Sequence, residues 1–239
     1  MTQHAHRLAV VTGIGRTGQT GEVVARALAE NDMRIIAVAR SADEANARVD
    51  DLRAAGHDAE PFACDLSDET QVAALARSVA AIAGSPPRLD ALVNIAGGFA
   101  MSGPVAESTA DVWNTQRTIN LATAFLATRA LLPLLRTARG SIVYFASAAA
   151  LPGANVARMW AYAAAKSGVI ALMRAVSEEE RANGVRANAL APTAIRTEAN
   201  LSSMGDKTRY VEREDVAAAV SWLCSDASRA VSGQVIRLG

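Results

Sequence analysis

The chain has 239 residues, 51% of them hydrophobic, and its 24 Lys+Arg balance 24 Asp+Glu. That length and apolar content predict a single domain over 1–239 with a sizeable core, while the scattered, balanced charge argues against a nucleic-acid or anionic-membrane surface. Leu8 to Val11 is too short for a secretory or membrane segment, so a cytoplasmic protein is expected, and lone Cys64 and Cys224 with three scattered histidines predict buried free thiols and no metal site.

Leu8 to Thr12 is an apolar, β-branched run that predicts a strand, and it stops at a loop containing Gly13, Gly15, Gly18 and Gly21. Val23, Val24, Ala27 and Leu28 then recur at helical spacing. Strand, glycine turn and helix is the setting in which a backbone cradles a pyrophosphate: glycines permit close approach, and the helix N-terminus offers unpaired N–H groups and the positive end of its dipole.

A second strand, Arg34 to Ala39, ends in Arg40-Ser41, and Ser41 with Glu44 makes a capping-box pattern for a helix to about Ala55. In dinucleotide-binding folds an acid at the end of the second strand receives the adenosine 2′-hydroxyl, whereas an arginine suits a 2′-phosphate. Ala39 and Arg40 stand there in this chain, and Arg16 can add a second positive charge. NADP(H) is therefore favoured, with NAD(H) possible.

Ala59 to Cys64 predicts a third strand, closed by Asp65-Leu66, and Ser67-Asp68-Glu69 opens a helix to about Ala83. Leu89 to Ile95 is a fourth, buried strand that runs into Ala96-Gly97-Gly98. Such alternation predicts a parallel sheet covered on both faces, with ligands beyond the carboxyl ends of its strands. Ser108 to Asp111 reads as the cap of a long helix to about Arg136, in which Asn120 needs a partner if buried and Pro133 should bend or end the last turn. Ser141 to Ser147 is the next strand. An alanine-rich helix containing Trp160, Tyr162 and Lys166 follows and stops at Asn183-Gly184; then come a strand from Arg186 to Leu190, a loop from Pro192 to Arg209, a helix from Arg213 to Cys224 and a last strand from Gln234 to Leu238.

Tyr162 and Lys166 are four residues apart, so one helical turn puts them on the same face. A phenol that ionises near 10 is a poor acid/base at neutral pH, and a neighbouring cation can correct that; reaching about 7 requires roughly 4 kcal/mol of differential stabilisation. With Asn120 and Ser147 preceding them in order, these residues resemble the short-chain dehydrogenase/reductase family, of the classical one-domain type, from Thr12-Gly13 to Ser232-Gly233-Gln234.

The resemblance implies a doubly wound Rossmann fold: α/β, with a mainly parallel seven-stranded sheet and helices on both faces. It implies Asn120, Ser147, Tyr162 and Lys166 as the catalytic set. Tyr162 would be the acid/base and Ser147 would bond the carbonyl oxygen; Lys166 would lower the phenol's pKa and hold the nicotinamide ribose, and Asn120 would support a proton-carrying water. For the cofactor it implies Gly13, Gly15, Arg16, Gly18, Thr20 and Gly21 at the pyrophosphate, Arg40 at the ribose, and Asp65 and Leu66 at the adenine. Asn94, Ala96 and Gly97, Tyr162 and Lys166, and Pro192, Ile195 and Thr197 complete that set. Departures are two extra residues in the glycine loop with Gln19 at the middle glycine's place, Ile95 for a second Asn, Thr193 for a glycine, and a long segment from Gly153 to Met159.

The expected reaction is hydride exchange between the cofactor and a small ketone or secondary alcohol, with a 3-oxoacyl thioester reductase or a non-catalytic dinucleotide-binding protein as alternatives. Candidate substrate contacts are Phe99, Met101, Leu151, Met159, Trp160, Met204 and Tyr210, with Arg158 facing an anionic group and 198–209 as a lid. Small and apolar faces on the Phe125 and Tyr162 helices predict a homodimer or homotetramer.

Overall fold

A computed structural model describes residues 7–239; the polar start with His4 and His6 lies outside the described residues. Seven strands, β1 (Arg7–Thr12), β2 (Met33–Ala39), β3 (Ala59–Ala63), β4 (Ala91–Asn94), β5 (Ser141–Phe145), β6 (Arg186–Pro192) and β7 (Val235–Leu238), form one sheet in the order β3-β2-β1-β4-β5-β6-β7. Every neighbouring pair is parallel. The chain reverses its direction of travel across the sheet between β1 and β4, the switch point at which such sheets open a crevice.

Among the described residues eight α-helices flank the sheet: α1 (Thr20–Ala29), α2 (Ala42–Ala54), α3 (Glu69–Ile82), α4 (Ala110–Arg117), α5 (Thr123–Ala138), α6 (Trp160–Glu179), α7 (Glu198–Met204) and α8 (Arg213–Leu223). Alternation along each strand divides the core in two. Leu8 and Val10 of β1, with Ile142 and Tyr144 of β5, pack beneath Val72 of α3, Leu131 of α5 and Met173 of α6. Ala9 and Val11, with Val143 and Phe145, pack beneath Val24 of α1, Val49 of α2 and Val216 of α8.

Local signals set several boundaries. The Ser41 hydroxyl accepts from the Glu44 amide at 3.2 Å, and Asp68 caps α3 by accepting from the amides of Thr70 at 2.8 Å and Gln71 at 3.2 Å. The reciprocal half of the Ser41 box is absent because Glu44 turns to Arg16. The expected long helix is broken: α4 is followed by one wide π turn, Thr118–Ala122, before α5 resumes. Its start is capped at Thr109, without a side-chain bond, since the Ser108 hydroxyl is spent on the carbonyls of Ser102 and Pro104, both at 2.8 Å. Pro133 does not end the helix; α5 continues to Ala138 and closes on Arg139 in the left-handed region at φ 54°. Strand β4 is shorter than Leu89 to Ile95 because Leu89 bonds to the carbonyl of Leu134 on α5 instead of to a strand, and Ala96 to the Thr12 hydroxyl. Ala110–Ala138 is long and apolar enough to cross a bilayer, and 50% of its most apolar window is buried within the protein.

Candidate active site

A cleft of about 970 Å³ opens at the carboxyl end of the sheet. Its floor is the glycine loop, where Gly13 at φ 66° and Gly15 at φ 70° take backbone conformations that other residues adopt at a cost. A Cβ on Gly13 would stand 2.6 Å from the Cα of Ala96, and one on Gly21 would stand 2.5 Å from Ile14. α1 begins at Thr20 behind an extended Gln19 that makes no side-chain cap, so the first N–H groups face the cleft unspent by a side chain. These are features of a pyrophosphate cradle, and the residues present fit a dinucleotide.

Thr17 and Gly18 are held aside from the cleft. Buried Arg48 of α2 donates to the Thr17 hydroxyl at 2.6 Å, and the Gly18 amide donates to Glu22 at 2.7 Å. Gly18 does not line the cleft: a Cβ there would meet the Glu198 side chain at 2.5 Å. Gly13, Gly15, Arg16, Thr20 and Gly21 do line it, as do Arg40, Asp65 and Leu66 toward the far end. Asp65 accepts from the Ser67 hydroxyl at 2.6 Å and amide at 2.9 Å, and these bonds hold its carboxyl below the usual range. Arg16 lies 3.3 Å from Glu44, in an exposed ion pair.

Ala96 and Gly97 line the cleft, whereas Asn94 sits behind its wall, 4% exposed, donating to the Thr128 hydroxyl at 3.2 Å. Asn120 finds the partners its burial demands. Its amide nitrogen donates to the carbonyls of Gly98 at 2.9 Å and Gln116 at 3.1 Å, and its oxygen accepts from the Gly98 amide at 3.1 Å. The π turn carries Asn120 as it clamps the loop beyond β4, a wide-turn device typical of functional sites.

Ser147, Tyr162 and Lys166 line the same cleft. Lys166 is 5% exposed; its ammonium donates to the Phe145 carbonyl at 2.7 Å and stands 5.9 Å from the centre of the Tyr162 ring. Burial pulls its pKa down to about 8. Tyr162 departs from expectation: burial pushes the phenol above its ordinary value, and the neighbouring Ser147 hydroxyl offsets only part of that. In the chain alone desolvation outweighs any help from the lysine, so the phenol holds its proton at neutral pH. The Ser147 hydroxyl also accepts from the Ala149 amide at 3.2 Å, which fixes its direction at the strand end.

Pro192, Thr193, Ile195 and Thr197 form another wall, and α7 adds Ala199, Asn200 and Ser203. Thr197 caps α7 by accepting from the Asn200 amide at 3.2 Å, a threonine cap readable in the sequence. Ser41, Glu44 and Cys64 are further lining residues that the motifs did not supply. Phe99 meets the Tyr162 ring edge-on at 5.1 Å and is 58% exposed, as a substrate wall would be. Trp160 instead stacks on Trp113 at 6.0 Å and donates to the Ser108 hydroxyl at 3.0 Å. Tyr210 donates to the carbonyls of Gly205 at 2.9 Å and Asn200 at 3.2 Å, bracing the α7 segment. Arg158, left-handed at φ 63°, accepts from the Ser102 amide at 2.7 Å and the Gly103 amide at 3.1 Å through its carbonyl, so the long segment is pinned to the loop after β4.

A family model described as short chain dehydrogenase matches residues 7–207. The chain belongs to the short chain dehydrogenase family. It is 33% identical over 239 residues to D-threitol dehydrogenase of Mycolicibacterium smegmatis, covering 95% of this chain and 89% of the relative. It is 34% identical over 245 residues to cis-4-hydroxycyclohexanecarboxylate dehydrogenase of Sinomonas cyclohexanicum, covering 97% and 94%. A crystal structure of an actinorhodin polyketide ketoreductase variant with NADPH superposes with a TM-score of 0.87 at 26% identity, covering 100% of this chain and 97% of that one. As a short chain dehydrogenase the chain is an oxidoreductase of the alcohol and carbonyl couple that uses a nicotinamide dinucleotide.

Proposed function

We propose that Tyr162 is the acid/base, Ser147 the oxyanion donor, and Lys166 and Asn120 the groups that position them, in an NADP(H)-dependent reduction of a ketone or oxidation of a secondary alcohol. The observation that carries this reading is that all four side chains share one cleft with the glycine loop. The nicotinamide, when bound, supplies or accepts the hydride. Reduction leaves negative charge on the substrate oxygen, which a donor and a proton source must meet. A phenol kept protonated by burial suits the donating direction, and the Ser147 hydroxyl beside it can bond the same oxygen. Lys166, whose pKa of about 8 lies close to neutral, can return a proton toward the phenol. Asn120 holds the Gly98 loop against the floor and so keeps the cleft's depth.

Preference for NADP(H) is supported by Arg40 and Arg16 on the cleft wall and by Ala39 where a ribose-binding acid would stand. Phe99, Ile119 and Thr123 give the substrate end a mainly apolar character, and α7 with 205–209 acts as its lid. A cytoplasmic homodimer or homotetramer, packed through α5 and α6, is in keeping with exposed Phe125 on α5. A 3-oxoacyl thioester reductase is the second reading, favoured by the likeness to a polyketide ketoreductase. A panel of alicyclic and linear ketones, polyols and an acyl thioester, followed by NAD(P)H absorbance, separates the two. Tyr162→Phe should lose turnover by three orders of magnitude or more while still binding NADPH, an order expected of a lost acid/base within an otherwise intact site. Unchanged turnover would sink the assignment of Tyr162, and a panel without any turnover would favour a non-catalytic binding protein.

A further inference from the structure

At the other end of the sheet, where β1, β4, β5 and β6 begin, lies a second cavity of about 840 Å³. Its charged lining is six arginines, Arg7, Arg88, Arg139, Arg181, Arg186 and Arg229, against two acids, Asp90 and Asp226. Arg88 is neutralised by Asp90, and Arg181 pairs with Glu178 at 2.6 Å. Arg7, Arg139, Arg186 and Arg229 have no carboxylate within ion-pair distance among the described residues, and residues 1–6 contain neither Asp nor Glu. Asp226 is thus the one lining acid left to face four guanidinium groups.

Part of this charge serves the helix above. Arg7 donates to the Cys224 carbonyl at 2.6 Å, and Arg186 to the carbonyls of Leu223 at 2.9 Å and Ser225 at 3.3 Å, so both cap the C-terminus of α8. A helix end carries about half an elementary charge, too little to balance two cations. Burial pulls the Arg186 guanidinium below its ordinary pKa; nearby Asp226 opposes that shift and nearby Arg7 adds to it. Arg139 and Arg229 are not needed for that cap. Arg139 also occupies the left-handed region at φ 54°, where a glycine would sit without strain, and its stem packs on Gly184. A cation stands where the backbone favours glycine.

We propose that this cavity is a second ligand site, separate from the catalytic cleft, for a small multiply charged anion of the phosphomonoester or polycarboxylate class. Guanidinium forks match both groups in bidentate geometry. Arg186 also donates to the Ser228 hydroxyl at 3.1 Å and is spent on the fold, so the free forks are those of Arg139 at the end of α5 and Arg229 in the turn after α8, and one anion can bridge these two elements.

The test is isothermal titration of the full chain, its cleft first saturated with NADPH, with inorganic pyrophosphate and, separately, with citrate, at constant ionic strength set by NaCl. Two double variants distinguish the ends of the sheet: Arg139→Asn with Arg229→Gln in the cavity, and Arg16→Ser with Arg40→Ser in the cleft. Asn tolerates the left-handed backbone, and circular dichroism checks that both variants fold. Affinity should fall at least tenfold in the first and persist in the second, with NADPH binding unchanged in the first. Binding of pyrophosphate alone assigns a phosphate ligand; binding of both anions assigns a general polyanion. No binding, binding indifferent to the first variant, or loss confined to the second would overturn the proposal, and none of these results bears on turnover in the cleft.

Discussion

The ammonium of Lys166 is bonded to the carbonyl of Phe145 at 2.7 Å, tying the helix that carries Tyr162 to the last residue of β5, two residues before Ser147. This contact sets the distance between the proposed acid and the proposed oxyanion donor, and it keeps a charged group where water scarcely reaches.

That burial has a cost that can be measured. The folded pKa of Lys166 is about 8 against 10.5 in the unfolded chain, so below pH 8 both states are protonated and the penalty is fully present, about 3 kcal/mol. Between pH 8 and 10.5 the unfolded state holds the proton and the folded state does not, so this group makes stability rise with pH there. Lys166→Met removes the penalty but leaves the Phe145 carbonyl without its donor, which costs about 1–2 kcal/mol. The variant should be inactive yet more stable by about 1–2 kcal/mol at pH 7, the difference between the two lost penalties. Urea titrations of both proteins at pH 7 and near 10.5 check it: the advantage should vanish at the higher pH, and parallel stability curves would refute the burial argument.

Gly97 is fixed by contact instead of by backbone angle. A Cβ there would lie 2.6 Å from the Asn120 oxygen and 3.2 Å from the Lys166 ammonium. Gly97→Ala should therefore push Asn120 out of its clamp on Gly98, at a cost of about 1–3 kcal/mol for overpacking. Loss of kcat/KM by tenfold or more is the expected kinetic result. Wild-type stability and turnover in the variant would show that Asn120 has room to move.

The order of strands and helices was legible because the inner strands β1, β2, β4, β5 and β6 are buried on both faces and read as apolar runs, as at Leu8 to Val11, and because caps such as Ser41 and Asp68 are local. The set Asn120, Ser147, Tyr162 and Lys166 could be named from spacing and from the family resemblance, and all four line one cleft. What escaped depends on contacts between distant segments. The π turn at Thr118–Ala122 exists where Asn120 bonds the loop at Gly98, which no helical periodicity encodes. The glycine spacing points to Gly18 as a phosphate contact, but Glu22 and Glu198 claim its surroundings. The i,i+4 spacing of Tyr162 and Lys166 announces a cation but is silent about how deeply the phenol is buried, and in the chain alone that burial raises its pKa.

At the adenosine end, Arg16 is 85% exposed at its side chain and paired with Glu44, while Arg40 has no such partner among the described residues. Exposed pairs of this kind are worth about 0.2–1 kcal/mol. Glu44→Gln should release Arg16 and remove a negative charge from the cleft wall, tightening NADPH by about two- to fivefold on that scale with NADH little changed. Arg40→Ala should act in the opposite sense and more strongly. Fluorescence titration with both cofactors checks the pair, and equal effects on NADPH and NADH would remove the case for a 2′-phosphate site.

Arg48 braces the glycine loop from α2. It is 9% exposed, donates to the Thr17 hydroxyl at 2.6 Å, and is itself held by Asp51 at 3.0 Å. A buried guanidinium directed at a loop hydroxyl restrains that loop without touching the reacting atoms, so its loss should appear in binding and not in the chemical step. Arg48→Met, which keeps most of the packed stem, should raise the cofactor KM about tenfold, the equivalent of about 1.4 kcal/mol, with kcat changed less than about threefold. Thr17→Val should do the same from the other side. If the two act through one bond, the double variant will be no worse than either single one, a coupling of about 1 kcal/mol in the cycle. Additive losses would mean that Arg48 and Thr17 contribute independently and that the loop is anchored elsewhere.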